Sequence, residues 1–590
     1  MQKILPIFAA LTLSITAFSQ HKYDYIWWVG YGSNNPANHF GGTKFDFNQN
    51  DVDVSFYPLP DKFGFGMPCS ISDENGNLQF SSNGCRIVNF NNEVIENGDD
   101  LSPGIYHDWV CDESPYYYDA AQDMLILPRP GHPGRYVYFH PSTEQNISSG
   151  KILYSEVDMN ANNGQGKVID KNHLLRGPVT KEGIINAVKH ANGRDWWVLI
   201  PEAEVNIYNF YLLTPDTIMG PLTQNLEDSE AALYPKAAWN SFVSPDGKKF
   251  GHVTLTWVDG VNRFNRIFLY DFDRCTGALS NRQILKVDDP EVFASWAHIS
   301  PNSRYMYFQI AQNKLYQYDL QAPDLEASRL LIAEHDGFTT PLGFSTAFFG
   351  MATAPNGKIY MCTTSGTYYY HTIHSPNKRG TACDFRQHDL ELPTVSDNLM
   401  PLYPNFRLGP VDGSSCDTLG INNNPVADFR WEQKDTLSPL IVDFTDLSYF
   451  EPEYWSWNFG DGEMSQDTSP VHQFNAPGIY DVCLTVGNAN QTDFICKDIK
   501  INLLHDKNIN YVFDALLLSP NPVSDMLHLQ ISGNTGKLQI FNATGQILSQ
   551  MTIAEPEEQV SVNVFGYPPG LFFVNLQTQE RVLSGRFIKN

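Results

Sequence analysis

The sequence predicts an all-β chain built as a β-propeller of about seven blades, followed by two small β-sandwich modules. Three observations predict it. A strand–turn–strand pattern recurs at nearly constant spacing between residues 21 and 410. Two shorter segments beyond it alternate apolar and polar residues with the period of a strand. The composition is that of a folded, turn-rich chain: of 590 residues 13% are aromatic and 18% charged, with 42 Gly and 37 Pro. An average soluble domain carries about 25% charged residues. Few charges with many aromatics exclude a disordered chain, a coiled coil and a collagen. The net charge of −27 speaks against a nucleic-acid partner, because no excess of Lys and Arg exists to displace phosphate counterions.

The chain opens with MQKILPIFAALTLSITAFSQ. Lys3 supplies a positive start, Ile4 to Phe18 an apolar stretch too short to span a bilayer, and Ala17 and Ser19 the small residues a signal peptidase reads. Residues 1–19 are therefore expected to be a signal peptide cut between Ser19 and Gln20. No Cys follows, which argues against a lipid anchor. No later apolar run approaches 18 residues, so no transmembrane segment is expected after signal removal.

Export permits disulfides, and nine Cys leave at least one unpaired within the chain. One pair follows from geometry. GIYDVCLTVGNANQTDFICKDIKI reads as a hairpin turning at residues 488–491. With Asn488 opposite Gln491, Cys483 falls opposite Cys496, where Cβ atoms lie about 4.5–5.5 Å apart and one disulfide closes the gap. The other connectivities stay open.

The propeller rests on six recurrences: SDENGNLQF, RPGHPGRYVYF, KHANGRDWWVLI, SPDGKKFGHVT, SPNSRYMYFQI and APNGKIYMC. Five carry a turn glycine, at Gly76, Gly134, Gly193, Gly247 and Gly357, and Ser303 holds the equivalent place in the remaining one. Successive steps are 58, 59, 54, 56 and 54 residues, so one supersecondary unit is reused. Gly suits such turns because it takes positive φ without steric cost. NIYNFYLLT, RIFLYDFD and KLYQYDL show no helical period. Each unit has room for about four strands, and such units close radially, which protects sheet edges. The unit before Gly76 is degenerate, with IWWVG and VDVSFYPL as its strands.

SPDGKKF, APNGKIYM and LYQYDL make this region resemble the YVTN-type and WD-repeat-like propellers of exported bacterial proteins. ISDENGNLQFSSNG, LYDFDRCTG and FRLGPVDGSSCDTLG are similar to the large N-terminal region of a group of Bacteroidota surface proteins. A fold of this kind says little about function.

GPVDGSSCDTLGINNNP is turn-rich, and residues 411–424 read as a linker. Residues 425–503 resemble a PKD domain, an immunoglobulin-like sandwich, through PVADF, IVDFTDLS, WSWNFGDG and HQFNAPGIYDVCLTV. Trp455, Trp457 and Phe459 share one strand face, as do Tyr480, Val482, Leu484 and Val486. Asp461 in the Gly-Asp-Gly turn reads as turn chemistry before it reads as a calcium ligand. Residues 515–590 resemble the type A C-terminal sorting domain of the type IX secretion system through SPNPVSDMLHLQI, KLQIFNATGQIL with its Thr544-Gly545 turn, YPPGLFFVNLQ and GRFIKN. The resemblance implies a route through the periplasm to an outer-membrane translocon. That translocon is the partner of the tail, and the destination is the outer cell surface or the extracellular space.

Motifs that carry chemistry are sparse. GxSxG, HExxH, GxxxxGK, GxGxxG and CxxC are all missing. Ser244-Pro-Asp246-Gly247 lacks the spacing and Trp of a sialidase Asp box and reads as a turn. His107-Asp108, His132 and His140 are isolated ligand or base types. His371 and His374, three apart in a strand context, point to opposite faces. Glu202 and Glu204 share a face that reads as solvated, and Trp27-Trp28 and Trp196-Trp197 read as packing between blades before sugar platforms. Asp216-Thr217-Ile218, Asp417-Thr418-Leu419 and Asp435-Thr436-Leu437 resemble Bacteroidota O-glycosylation acceptors. No catalytic residue, metal ligand or cofactor is assigned. The expected function is binding of a glycan or a surface protein. The alternatives are a propeller-type hydrolase acting on polysaccharide and a structural part of the adhesion or gliding apparatus. Convergent carboxylates at the propeller mouth would mark the hydrolase, whereas backbone, aromatics and amides would mark binding.

Overall fold

The structure is a computed structural model. It describes residues 21–35, 40–60, 63–64, 69–112, 122, 124–143, 149–180, 185–202, 207–226, 236–257, 263–287, 295–341, 343–364, 366–397, 399–433, 440–501, 517–520, 522–531, 535–542, 546–555, 559–578 and 582–589. The expected signal peptide with Ser19 and Gln20, and also Glu204, Asp435, Thr436, Thr544 and Gly545, lie outside the described residues.

Among the described residues, seven antiparallel sheets follow one another from Ile26 to Ser396. Blade one holds Ile26–Asn35, Phe40–Asp46 and Asp53–Tyr57. Blade two holds Cys69–Ser72, Leu78–Ser82 and Ile87–Asn89. The other five have four strands each and begin with Leu125–Pro128, Asn186–Lys189, Lys236–Val243, Trp296–Ile299 and Phe348–Thr353. These entry strands are short and apolar, and those of blades four to seven lie side by side. Amide side chains stitch one to the next. Asn240 Nδ2 donates to Ala297 O and its Oδ1 accepts the Ala297 N–H, while Asn186 Nδ2 donates to Ser241 O. Each bond satisfies a buried backbone group that the ladder leaves open.

The turn that leaves each entry strand carries the recurrent residue. Gly76, Gly134, Gly193, Gly247 and Gly357 have φ between 70° and 88°. Ser303 has φ 58°, so the one non-glycine also adopts the left-handed conformation. In blade five the turn is closed by Gly247 N–H donating to Ser244 O and by Asp246 Oδ1 accepting the Lys248 N–H.

Blade one completes the ring in a different way. Its missing inner edge is taken by residues 397–407, which run antiparallel to Ile26–Asn35. Asp397 N–H donates to Gly30 O at 2.9 Å, Tyr403 Oη donates to Ile26 O, and Tyr403 stacks on Trp27. Pro401 and Pro404 remove two N–H donors, so the segment lines the sheet without a continuous ladder. The ends are fastened by a bidentate pair, Arg407 Nη1 and Nη2 each 2.7 Å from a carboxylate oxygen of Asp24. Blade seven packs on the outside of this joint, with Thr43 and Thr394 hydroxyls 2.7 Å apart. Trp27, Trp28, Trp196 and Trp197 are 0%, 1%, 1% and 7% exposed, so none presents a ring to solvent.

Residues 409–424 are strapped down. Arg274 donates to Gly409 O, Val411 N–H to Ala191 O, and Cys275 is disulfide-bonded to Cys416. A second disulfide, Cys85–Cys111, fixes the helix Ile105–Cys111 to blade two. Cys69, Cys362 and Cys383 are buried thiols outside these disulfides.

By contacts the chain divides into two units, Met1–Glu432 with Asp443–His472 and Tyr480–Ile499, and Gln433–Val442 with Gln473–Ile479 and Lys500–Asn590. In the first, the middle module pairs Tyr454–Asn458 with Gly478–Gly487, Trp457 opposite Leu484. Its core is aromatic: Phe429, Phe444, Trp457 and Phe459 are buried and in mutual ring contact. Cys483 and Cys496 are disulfide-bonded, with Cα atoms 4.0 Å apart. In the second unit the tail folds as two sheets around an aliphatic core that includes Leu527, Leu529, Leu538, Ile540, Val574 and Leu576.

Candidate functional site

A cavity of about 390 Å³ lies at the turn end of the entry strands. Its lining comes from three sources. Blades four to seven supply strand ends and turns, among them Asn186, Ser241, Trp296, His298, Asn302 and Met351. The ring-closing segment supplies Met400 to Asn405, with Arg407 and Leu408. The middle module supplies Asp446 to Tyr449, Thr468 and Ser469. The space exists because inner strands converge on the ring axis while a separate sandwich rests on their turns.

Charge in the cavity is almost cancelled. Arg407 is spent on Asp24. His298 Nε2 accepts the Thr353 N–H, and burial lowers its pKa to about 4, so the ring is neutral at physiological pH. Asp446 is the other carboxylate in the lining. Burial raises its pKa to about 6, against hydrogen bonds from Ser448 that favour the charged form. Glycosidase chemistry needs two carboxyl groups free to act on one bond, and one of the two here is held in an ion pair. The remaining polar lining among the described residues consists of amides, hydroxyls and backbone, with Phe242, Trp296, Tyr403 and Tyr449 as the large aromatics.

A charged cluster holds the middle module against blade seven. Arg430 Nε donates to Asn356 O and Nη2 to His374 O. Glu432 receives Lys358 Nζ at 3.3 Å and Arg430 Nη1 at 3.2 Å, and lies 3.5 Å from His374 Nδ1. His374 Nε2 is 2.8 Å from Asp389. Burial lowers the His374 pKa, but the Asp389 and Glu432 carboxylates outweigh it and the net shift is upward. Burial raises that of Glu432, and His374, Lys358 and Arg430 pull it far below the usual range. Beside the cluster, Asn50 exchanges two hydrogen bonds with the Trp431 backbone.

The residues singled out by type are scattered. His140 is buried between the Ser102 and Ser155 hydroxyls, and burial lowers its pKa to about 3. His107 lies 3.5 Å from its neighbour Asp108, and with Asp112 the two form a group close enough to hold a metal ion, its two carboxylates exposed. His132 sits in the blade-three turn. His371 donates to Thr346 O, three residues from His374 but with wholly different partners. Asp461 accepts the Glu463 N–H and pairs with His472 at 2.7 Å, which is turn chemistry. Thr217 and Thr418 are exposed. His335, Asp336 and His388 lie close enough to hold a metal ion, but their bonds oppose it. His335 Nδ1 accepts the Gly337 N–H, so its proton sits on Nε2, facing Thr346 Oγ1. That leaves no lone pair for a metal. Sequence reasoning picked out the blade turns that line the cavity, with Ser244, Pro301 and Gly357, as a repeat and not as a site, and the amides and sandwich loops that join them form no motif.

Two family models match. Residues 422–502 match the PKD domain. Residues 518–590 match the secretion system C-terminal sorting domain. The tail is an export address. It marks the chain for the type IX secretion system and so for the cell surface or the extracellular space.

No curated protein matches the chain. Among solved structures, the PKD1 domain of Vibrio anguillarum Epp is 26% identical, covering 14% of this chain and 99% of that one, with a TM-score of 0.13. The Vanderwaltozyma polyspora Nup133 β-propeller domain is 11% identical, covering 56% and 90%, with a TM-score of 0.33. The Fusarium graminearum α-L-arabinofuranosidase Arb93a is 8% identical, covering 64% and 92%, with a TM-score of 0.30. Likenesses this distant say nothing of activity. Among the described residues, no helix is long and apolar enough to cross a membrane.

Proposed function

We propose that this chain is a binding protein of the cell surface or extracellular medium, and that the cavity beneath the PKD module holds a neutral, hydroxyl-rich ligand, the end of a glycan. The observation that carries the reading is the lining among the described residues: amides, hydroxyls, backbone and four large aromatics, with Arg407 paired to Asp24 and Asp446 in no ion pair. Amides and hydroxyls both donate and accept, as sugar hydroxyls do, and aromatic rings stack on sugar faces. A catalytic pair of carboxylates is not assembled there.

In this reading residues 1–19 are a signal peptide removed before Gln20, 21–410 the propeller, 411–424 a strap, 425–503 the PKD module and 515–590 the sorting domain. The propeller belongs with the YVTN- and WD-repeat-like blades of Bacteroidota surface proteins. A glycan array probed with the purified full chain, beside a glycosidase assay on the same sugars, tests the function. Stoichiometric retention of a neutral glycan without turnover is expected. Turnover, or no glycan retained, would overturn it.

A further inference from the structure

The PKD module lines the same cavity as the propeller. Thr468 and Ser469 are exposed loop residues that face the same cavity as Asn302 and Met351 of the propeller. Ser469 Oγ accepts the Asp446 N–H, which fixes the loop against the strand end that bears Asp446. Gly357, at the tip of blade seven, has only 2.9 Å between an added Cβ and Leu447 Cδ2, so turn and module are in direct contact. The Glu432 cluster buries Lys358, His374 and Arg430 at 8%, 6% and 6% exposure. Such a set of charges is stable only while its partners stay together, because separating them leaves buried charge unpaired.

We infer that the PKD loops 446–449 and 468–469 form one wall of the ligand site, and that the Glu432 cluster is the latch that holds this wall in place. The two modules then bind as one unit, and any change that frees the latch lowers affinity without touching the ligand. The inference rests on the reading of the cavity as a glycan site.

The test uses the full chain and six neutral trisaccharides, namely maltotriose, cellotriose, laminaritriose, xylotriose, mannotriose and chitotriose, titrated calorimetrically. Thr468→Trp places a bulky ring in the wall from an exposed position. It is expected to weaken binding by roughly thirtyfold or more, the effect of blocking a central contact, with an unchanged melting temperature. Glu432→Gln keeps the shape of the latch and removes its charge. It is expected to lower affinity about tenfold by reducing the fraction of molecules with the wall in place, and to speed hydrogen exchange across 446–449. Binding within twofold of wild type in both variants would overturn the inference while leaving the glycan reading intact. Failure of the unmodified chain to bind any of the six would take down both.

Discussion

Blade six and blade one are built to the same plan from different material. Blade six is one continuous run of four strands, Trp296–Ile299, Tyr305–Ile310, Lys314–Asp319 and Leu330–Glu334. Its ion pair Arg304–Asp319 joins neighbours in the chain, and the arginine is 43% exposed. Blade one joins the two ends of the propeller, and Arg407–Asp24 spans 383 residues with the aspartate 5% exposed. The difference teaches where the ring is vulnerable. A hairpin forms locally and keeps its register without help, whereas the closing segment has no ladder and must be held by side chains.

The sharpest way to break this comparison is to remove the two arginines separately. Arg407→Ala leaves Asp24 buried without a partner and should cost about 3–5 kcal/mol. Arg304→Ala removes a largely exposed arginine from a buried aspartate, 9% exposed, that still accepts the Gln321 N–H, and the melting temperature should fall by less than in Arg407→Ala. Thermal denaturation of the full chain reads both. Equal losses would mean that closure is no weaker than an ordinary blade.

A blade turn and a turn in the strap offer a smaller contrast. Gly357 has φ 75° and faces Leu447, whereas Gly413, with φ 73°, has nothing near its Cβ position. Gly413→Ala should cost only the left-handed penalty of about 1–2 kcal/mol. Gly357→Ala should cost more, with the excess seen as faster hydrogen exchange in the PKD strand that begins at Phe429. Identical losses would show that the turn does not bear on the module.

The repeat was legible because its punctuation is chemical. Positive φ at these turns favours glycine, and a turn residue recurring every 54–59 residues, glycine in all but Ser303, is visible without any structure. The closing segment was not legible, since MPLYPNFRL reads as a proline-broken loop and its partner strand lies at the other end of the domain. The tryptophan pairs were resolved only by packing, which put all four rings inside. The cavity is only partly legible, because its turns belong to the repeat while the rest of its lining has no signature. Asn186, Asn302 and Ser469 are ordinary turn and loop residues, and only the docking of a second module places them around one space.

Solution pH separates the latch from the closure. The pKa of His374 is raised above its ordinary 6.5, so its stabilising contribution is complete below pH 6.5 and is lost as pH rises through the folded-state value. The pKa of Glu432 is depressed from 4.5, so its contribution is complete above pH 4.5 and is lost as pH falls toward the folded-state value. The groups that face His374 are Asp389 and Glu432, with Lys358, Arg430 and Arg386 beside those carboxylates. PKD docking should therefore be tightest between about pH 4.5 and 6.5 and loosen as pH rises through the folded-state value of His374. Hydrogen exchange at residues 429–432 follows it, corrected for the intrinsic pH dependence of exchange. His374→Gln should flatten the alkaline side of the profile, and an unaltered profile in that variant would assign the loosening to another group.

The smallest effect concerns the one repeat turn without glycine. Ser303 pays for a left-handed backbone, φ 58°, yet its Oγ accepts the Asp246 N–H from the turn of blade five at 3.0 Å. Glycine there would relieve roughly 1 kcal/mol of backbone strain and lose a hydrogen bond worth about 1 kcal/mol. Ser303→Gly should accordingly be close to neutral in thermal denaturation. Ser303→Ala keeps the strain and loses the bond, so it should destabilise by about 1 kcal/mol. Of the two, alanine is the decisive variant. If it were as stable as wild type, the hydroxyl would contribute nothing between blades five and six, and serine would have no physical reason to stand where five other turns carry glycine.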